Sequence, residues 1–275
     1  MRLAAFTIDV EPDYGGQIGG TYKTLMDEKG LSPLQEFLEQ ENVPATLFIV
    51  GELLDVNKTL AQRAVSIGKE FQPHSYSHPT PGHDVLVEAK KAREAYKRFF
   101  GRSPTGYRSP YGFMRGDVIP QLVDLGYMYD SSIFPTLRPG RFYNIDKPLF
   151  PYKPNNGIWE LPIGCLSVIR MVVSIGYIKF FGPTVFEILL RKFGVPGILV
   201  IDSHLHDFVT TDLLDRLPLH QRLRYLRHRD DGVRLLRWLV LRLKKSGFSF
   251  VTLSDIVDRL ERREIPADCF KVVRV

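Results

Sequence analysis

Apolar and polar stretches alternate through the first half of the chain in a way that predicts repeated strand–helix units. Short apolar runs at 3–8 and 45–50 are typical of buried strands, and helical periodicity follows them at 32–41 and 52–67. Ser32 and Pro33 are interpreted as the cap and first turn of the earlier helix, and Gly68 as the end of the later one. The same order continues with a strand at 70–73, a helix at 84–100, a strand at 106–108, a helix at 116–125 and a strand at 127–130. Such repeats favour an α/β fold with a parallel sheet or barrel, whose chemistry lies at the carboxyl ends of the strands.

The second half of the chain is less regular. Residues 134–160 are rich in Pro, Gly, Arg and Tyr, and we interpret them as a loop excursion over one face of the core. A strand at 198–201, an amphipathic helix at 231–246, a last strand at 248–253 and a helix at 254–262 follow. Neither an internal repeat nor a linker-like composition interrupts the sequence, so residues 1–275 are predicted to form one domain.

Composition and charge exclude several classes of protein. A chain of 275 residues with 44% hydrophobic and 12% aromatic residues is not wholly disordered. Its two cysteines, Cys165 and Cys269, exclude a disulfide framework and a Cys-rich metal site. The net charge is +6, and residues 216–245 hold ten Lys or Arg against two Asp. A solvated helix face explains such a region, and so would contact with anionic lipid, nucleic acid or a phosphorylated substrate.

Neither the first apolar run nor the longest apolar region indicates export or membrane insertion. The first apolar run has about six residues, fewer than the roughly 7–15 of a signal-peptide core, and this favours a cytoplasmic location. The longest apolar region, 165–188, is interrupted by Arg170, Lys179 and Glu187. It therefore falls short of the roughly 18 uninterrupted apolar residues expected of a spanning helix.

Candidate chemistry begins where the predicted strands end. Asp9 and Glu11 close the first strand, and the period of two puts both carboxylates on one side of it. They can act as a base and a metal ligand, or simply cap the next element. His74 and His78 follow the third strand, and on one helical turn two imidazoles four residues apart face the same way. Imidazole with carboxylate suits zinc and its first-row neighbours, although a lone histidine is more often structural.

Two further motifs follow later strands. The guanidinium of Arg108 can orient a carboxylate, and the turn around Tyr111 can aim a backbone N–H at a ligand, but an ordinary loop with a surface salt bridge has the same sequence. His204 and His206 share one face if the strand before them continues. Either can act as a general acid, and at least one of the two is expected to be structural.

Together these segments resemble the polysaccharide deacetylases, also known as carbohydrate esterase family 4 or the NodB-homology group. The resemblance covers most of the chain, and the stretch from 43–51 through the His74 to His78 motif carries it most specifically. The stretches 100–112, 125–132 and 159–162 are similar to later motifs of that family in the same order. The resemblance implies a distorted (β/α) barrel of parallel strands with outer helices.

The family's roles, transferred to this sequence, make Asp9 the catalytic base and His74 and His78 metal ligands. They imply that Arg108 tunes Asp9 and that Tyr111 offers its N–H to an oxyanion. His204 best matches the proton donor, with His206 as the competing alignment. Many members carry two adjacent aspartates where this chain has Asp9-Val10-Glu11, so Glu11 is expected to be the third ligand, with Asp13 as the alternative.

The implied activity is a hydrolase that uses a divalent metal, zinc first, to remove an N-acyl group, most simply acetyl, from an amino sugar. A cytoplasmic sugar conjugate is the expected substrate. A lipid-linked conjugate is one alternative, since an aromatic stretch at 177–183 with the Arg-rich late helices can contact a membrane surface, although apolar residues beside a barrel more often serve packing. Rival interpretations are a metal-independent amide hydrolase of the same fold and a catalytically silent carbohydrate-binding barrel. A nucleic-acid partner is not expected, because only the basic region favours it.

Overall fold

The computed structural model describes residues 2–154 and 157–275. Its strands are β1 (Arg2–Val10), β2 (Ala45–Ile49), β3 (Glu70–Pro73), β4 (Gly106–Tyr107), β5 (Tyr129–Asp130), β6 (Leu137–Arg138), β7 (Phe142–Tyr143), β8 (Trp159–Glu160), β9 (Val195–Pro196), β10 (Ile198–Ile201), β11 (Phe248–Phe250) and β12 (Val272–Val273). Its α-helices are α1 (Lys23–Met26), α2 (Glu28–Gln40), α3 (Gly51–Val56), α4 (Lys58–Ile67), α5 (Val85–Phe100), α6 (Ile119–Asp124), α7 (Ile175–Phe181), α8 (Pro183–Phe193), α9 (Leu219–Leu226), α10 (Gly232–Lys245) and α11 (Leu253–Glu261).

Strand β1 is the centre of the main sheet. It pairs in parallel with β10 along one edge, with β2 through its second half, and with β11 at its start. Strand β3 extends this sheet beyond β2, while β4, β5 and β8 form a second parallel sheet.

Two contacts join these sheets into a ring. The Arg108 N–H donates to the Pro73 carbonyl at 3.2 Å, which connects β4 to β3. On the other side, residue Ile163 after β8 bridges to Val200 of β10, and Gly164 N–H donates to the Val200 carbonyl at 2.8 Å. The parallel strands with helices outside them form the distorted (β/α) barrel that the sequence predicts.

Alternation along β1 decides which residues face the barrel interior. Its even-numbered residues pack toward the helices, in the core that contains Ala4, Phe6, Ile8 and Val10. Leu3 and Ala5 pack on the other side, in a cluster with Phe48 of β2. Because successive side chains point to opposite faces, Thr7 and Asp9 continue this inner row toward the carboxyl end of the strand.

Several helices begin or end at residues other than those predicted, because side chains that the sequence analysis did not consider cap them. Helix α2 begins four residues before Ser32, because the Asp27 side chain accepts a hydrogen bond from Gly30 N–H and caps the helix there. The predicted helix at 52–67 is two helices, since Asn57 ends α3 and its side chain caps α4 by accepting from Leu60 N–H. The predicted caps of α5 are confirmed: Asp84 accepts at its start, and Gly101 with φ of +69° ends it.

The later elements differ more from the sequence prediction. The helix predicted from residue 116 begins at Ile119. The predicted strand at 248–253 ends at Phe250, because Thr252 caps helix α11. A short strand, β12, follows and pairs antiparallel with β9, so the strand at 248 is not the last.

The predicted excursion at 134–160 contains the β6–β7 hairpin and returns to the barrel through β8, while its residues 155 and 156 lie outside the described part of the chain. Helices α7 and α8 lie in a region where no helix was predicted, and α9 lies in the basic region 216–245, where helix bounds were predicted only for 231–246. Within the described residues, none of the helices combines the length and apolar character needed to cross a membrane.

Candidate metal and catalytic site

Four strands bring candidate side chains to one end of the barrel. Asp9 lies near the end of β1, His74 follows β3, Arg108 follows β4, and His204 follows β10. Asp9 and His204 are joined by a parallel bridge, and the Asp9 N–H donates to the Ser203 carbonyl at 2.8 Å. The predicted convergence of chemistry at the carboxyl ends of the strands is therefore present.

Glu11, His74 and His78 form a cluster whose ligand atoms all lie within 4.8 Å of one another. All three residues are buried. The Glu11 Oε2 atom lies 3.6 Å from His74 Nε2 and 2.5 Å from His78 Nε2. Burial alone would raise the pKa of Glu11, but the charges of His78 and His204 outweigh it and hold that pKa well below its usual range.

The two imidazoles meet through a tight turn, so the helical geometry expected for them is wrong. Ser75 and His78 both have positive φ values, +59° and +52°. The Glu88 carboxylate of helix α5 accepts from the N–H groups of Tyr76 and Ser77 at 2.9 and 2.8 Å. A carboxylate from a neighbouring helix thus fixes the turn that carries both histidines.

The donor set fits a divalent cation. His74 Nδ1 lies 3.0 Å from the Arg108 carbonyl, and because a carbonyl only accepts, that nitrogen carries the proton and Nε2 presents its lone pair to the cluster. His78 Nε2 is buried, and its 2.5 Å contact with Glu11 Oε2 brings two ligand atoms together without the alignment of a hydrogen bond. Two imidazoles with one carboxylate are a ligand set typical of zinc sites that leave coordination positions open.

The alternative carboxylate, Asp13, points elsewhere. Its Oδ1 accepts from the Thr24 hydroxyl at 2.6 Å, and its Oδ2 accepts from the Lys23 N–H at 2.5 Å. Asp13 therefore holds the start of helix α1, and Glu11 is the carboxylate that joins the two histidines.

Arg108 is buried beneath Asp9, so a surface salt bridge is the wrong interpretation of this motif. Its Nη1 donates to Asp9 Oδ1 at 2.6 Å and to the Thr7 hydroxyl at 3.0 Å. Its Nε and Nη2 donate to the carbonyl and hydroxyl of Ser131, and its Cζ lies 4.1 Å from the Phe48 ring centroid. These contacts fix the guanidinium and, through it, one oxygen of Asp9.

Asp9 Oδ2 is the carboxylate oxygen that faces the cluster. It lies 3.6 Å from His74 Nε2 and 4.0 Å from His204 Nε2. One oxygen of Asp9 is thus held by Arg108, while the other lies beside the imidazoles.

The strand before His204 does not continue, so the expected shared strand face of His204 and His206 is absent. Strand β10 ends at Ile201, and a 3₁₀ helix covers Leu205–Asp207. The two rings nevertheless stack, with centroids 4.9 Å apart.

The environments of these two histidines differ in charge. His204 Nε2 lies 3.7 Å from Glu11 Oε1, and its side chain is 30% exposed. Burial lowers the pKa of His204, but Glu11 and Asp207 outweigh it and raise that pKa well above its usual value. Burial and the charge of His204 instead lower the pKa of His206 to about 4. These shifts favour the protonated form of His204 and the neutral form of His206.

His206 is also occupied by neighbouring groups. Its Nδ1 accepts from the Tyr14 N–H at 3.3 Å, and its ring packs against Tyr14 and Tyr225 at 5.1 and 5.3 Å between centroids. This arrangement suits a buried packing histidine.

Tyr111 lies beside the cluster in the short 3₁₀ turn Pro110–Gly112, with φ of +59°. Its hydroxyl donates to the Gly15 carbonyl at 3.1 Å, and its ring centroid is 5.0 Å from that of His78. Tyr111 thus connects two loops at the mouth of the barrel.

Sequence reasoning assigned no role to two acidic residues beside the site. Asp202 Oδ1 lies 3.5 Å from Arg108 Nη1, and burial raises the pKa of Asp202 to about 6. Asp207 Oδ2 accepts from the His204 N–H at 2.9 Å. Both residues flank the histidines in the sequence Asp202-Ser203-His204-Leu205-His206-Asp207. Their position next to two candidate catalytic histidines is the sequence feature that could have identified them.

The sequence comparisons agree with this geometry. Residues 14–129 match the family model described as polysaccharide deacetylase. Over this region the chain is similar to the polysaccharide deacetylase family, as the resemblance seen in the sequence predicts. A peptidoglycan deacetylase of Helicobacter pylori is 27% identical over 147 residues, which cover 48% of this chain and 49% of that protein. A chitooligosaccharide deacetylase of Bradyrhizobium sp. is 29% identical over 123 residues, which cover 40% of this chain and 55% of that protein.

The alignments span only about half the length of these curated relatives. Among solved structures, a Mycobacterium smegmatis protein described as a polysaccharide deacetylase superposes with a TM-score of 0.60 at 18% identity. That alignment covers 99% of this chain and 94% of the other, and at this identity it supports the barrel fold alone.

Proposed function

We propose that this protein is a metal-dependent hydrolase of the polysaccharide deacetylase family that removes an N-acyl group, most simply acetyl, from an amino sugar or sugar conjugate. The observation that carries the proposal is the convergence of Glu11, His74 and His78 beside the buried Asp9–Arg108 pair. A ligand set and a positioned base at one strand end are the parts that amide hydrolysis needs.

Each proposed role follows from a contact. When bound at Glu11, His74 and His78, a divalent cation, zinc first, supplies a Lewis acid that polarises an acyl carbonyl and lowers the pKa of water. Asp9 takes the proton of the attacking water on Oδ2, since Arg108 occupies Oδ1. The water oxygen forms the new bond to the acyl carbon.

Cleavage of the acyl carbon–nitrogen bond leaves an amine that must gain a proton. His204 is the proposed donor, because its Nε2 faces the Glu11 and Asp9 carboxylates and its pKa is raised well above the usual value. Tyr111 is the proposed oxyanion donor through its N–H, supported by the packing of its ring against His78. Loss of one such donor typically reduces the rate about 100–1000-fold.

Two alternatives remain distinct from this proposal. A metal-independent amide hydrolase of the same fold would work without the Glu11 cluster, and a silent carbohydrate-binding barrel would need neither the cluster nor Asp9. The buried, hydrogen-bonded Arg108 favours a working base, because a binding barrel gains nothing from desolvating this ion pair.

The finer features of substrate and location are also proposals. An acetylated amino sugar is supported by the names of the two relatives, and a lipid-linked conjugate by helix α7, where Tyr177 and Phe180 are 42% and 43% exposed. Salt-sensitive cosedimentation with vesicles containing phosphatidylglycerol is expected, and cosedimentation that is absent or insensitive to salt would refute peripheral membrane contact. The single domain and the cytoplasmic location stay predictions.

The substitution Asp9→Asn tests the function. Acetate released from acetylated chitooligosaccharides and peptidoglycan fragments is measured with zinc-loaded protein. We expect the rate of the variant to be about 100-fold or more lower while its metal is retained, because the asparagine side chain cannot take the proton of the attacking water. Asp124→Asn, an exposed change of equal size on α6, serves as the control and keeps the rate. Full activity of Asp9→Asn would refute the assigned base.

A further inference from the structure

The β6–β7 hairpin places an arginine over the mouth of the site. The Arg141 Cζ lies 4.8 Å from the centroid of the Tyr111 ring. The hairpin is seated through Phe134, which stacks on Phe142 at 6.1 Å and lies against Gly112, where an added Cβ would come within 2.7 Å of the Phe134 ring. Arg141 is thus held over the same turn that carries Tyr111.

The charge of Arg141 is not neutralised by a carboxylate. Its side chain is exposed, and among the described residues no Asp or Glu oxygen lies within 4.0 Å of its guanidinium. By contrast, Arg98, Arg115 and Arg234 at the surface each pair with an aspartate. A guanidinium that stacks on an aromatic face keeps its in-plane N–H groups for a ligand, and their fork geometry matches a carboxylate or phosphate.

Tyr111 links this arginine to the ligand cluster. The Tyr111 ring contacts the Arg141 guanidinium and also lies 5.0 Å from the His78 ring between centroids. When the acyl group of a substrate lies at the cluster, another part of the same molecule therefore lies beside Arg141. The floor of the site is occupied by the Glu11, His74 and His78 cluster and by the Asp9–Arg108 pair, so a second substituent of the sugar is best held at this rim.

We propose that Arg141 is a substrate-recognition residue that binds an anionic group, carboxylate or phosphate, on the acylated amino sugar. The proposal rests on the proposed function, because the sugar is assigned to this opening by the deacetylase chemistry. It deepens that function by naming an acidic class of substrate and the residue that selects it.

Binding measurements test the proposal without requiring turnover. Zinc-loaded protein is titrated calorimetrically with N-acetylglucosamine, N-acetylglucosamine 1-phosphate and N-acetylmuramic acid. The variants are Arg141→Gln and, as a matched loss of one exposed charge far from the hairpin, Arg262→Gln on the last turn after α11. Both positions are exposed, and far-ultraviolet circular dichroism verifies their folding.

We expect at least one acidic sugar to bind the wild type about 3- to 10-fold more tightly than the neutral sugar, as suits a partly solvated charge-assisted contact. Arg141→Gln loses this preference and leaves the affinity for the neutral sugar unchanged, while Arg262→Gln retains it. Preference for the phosphate or for the carboxylate identifies the source of the anion.

The proposal is overturned if neither acidic sugar binds measurably, if neither is preferred, or if the preference survives in Arg141→Gln. Failure of the proposed function gives a different pattern, in which Asp9→Asn is as active as wild type, or no sugar is deacetylated, while the Arg141-dependent binding persists.

Discussion

Replacing Arg108 by methionine should destabilise the fold strongly, because two buried carboxylates would lose their positive partner. Asp9 Oδ1 lies 2.6 Å and Asp202 Oδ1 3.5 Å from Arg108 Nη1, and all three side chains are buried. Removing one partner of a buried ion pair typically costs about 3–5 kcal/mol. The carbonyl of Ser131 also loses its donor, which adds about 1 kcal/mol or more. We therefore expect the metal-free protein to lose about 4 kcal/mol or more of its free energy of unfolding.

An exposed pair in the same protein provides the control. Arg98 donates to both carboxylate oxygens of Asp55 at 3.1 and 2.7 Å, but its side chain is 59% exposed. Arg98→Met should therefore cost no more than about 1 kcal/mol, since solvent screens this pair. Urea denaturation at pH 7, with a chelator present, measures both variants.

A double-mutant cycle identifies the cause of the loss. Adding Asp9→Asn to Arg108→Met removes one charge that the arginine compensates, so part of the loss, about 2 kcal/mol, should be recovered. If Arg108→Met unfolds the chain, Arg108→Lys keeps a charge and gives a measurable intermediate. Additivity of the two changes within about 0.5 kcal/mol, or a loss no larger than that of Arg98→Met, would refute the reasoning.

The remaining predictions concern the histidines and a second acidic pair. His204→Gln should lower kcat about 100-fold or more with metal retained, whereas His206→Gln should mainly lower Tm; the reverse outcome in kcat and Tm would assign the proton donor to His206. Burial raises the pKa of Asp130 to about 6 and that of its neighbour Glu160 well above the usual value. Both carboxyl groups have a higher pKa in the folded state than in the unfolded state. The stability that their protonated forms contribute is therefore present at low pH and is lost as the pH rises through about 6. The free energy of unfolding of Glu160→Gln relative to wild type should rise by about 1–3 kcal/mol between pH 5 and 8, and a pH-independent difference in urea denaturation would contradict this.

The sequence predicted the barrel and the candidate residues at its strand ends because both depend on local patterns. The period of two along β1 is enough to place Asp9 and Glu11 on one side of the strand, and both contact His74 in the structure. Gly68 and Gly101 likewise mark the ends of helices α4 and α5, where the sequence predicts them.

The choice between alternative residues depended on contacts distant in sequence. Asp13 is turned away from the cluster because Lys23 and Thr24 of helix α1 donate to it, and no local pattern predicts that pairing. His204 and His206 differ because Tyr14, almost two hundred positions earlier, donates to His206. Burial of Asp202 beside Arg108 also requires the closed barrel.

Helices α7 and α9 were not located from the sequence for another reason. They have 7 and 8 residues, fewer than the window of about 11–18 residues over which helical periodicity is recognised.

The metal content of the purified protein shows whether Glu11, His74 and His78 form a metal site. Elemental mass spectrometry is applied to wild type, His78→Ala and His83→Ala after zinc supplementation and dialysis. His83 lies in the same loop but outside the cluster, and its Nδ1 contacts the Thr80 carbonyl at 2.9 Å. We expect about one equivalent of zinc or a related ion in wild type and His83→Ala, and none in His78→Ala. Wild-type protein that retains no metal, or His78→Ala protein that retains a full equivalent, would contradict it.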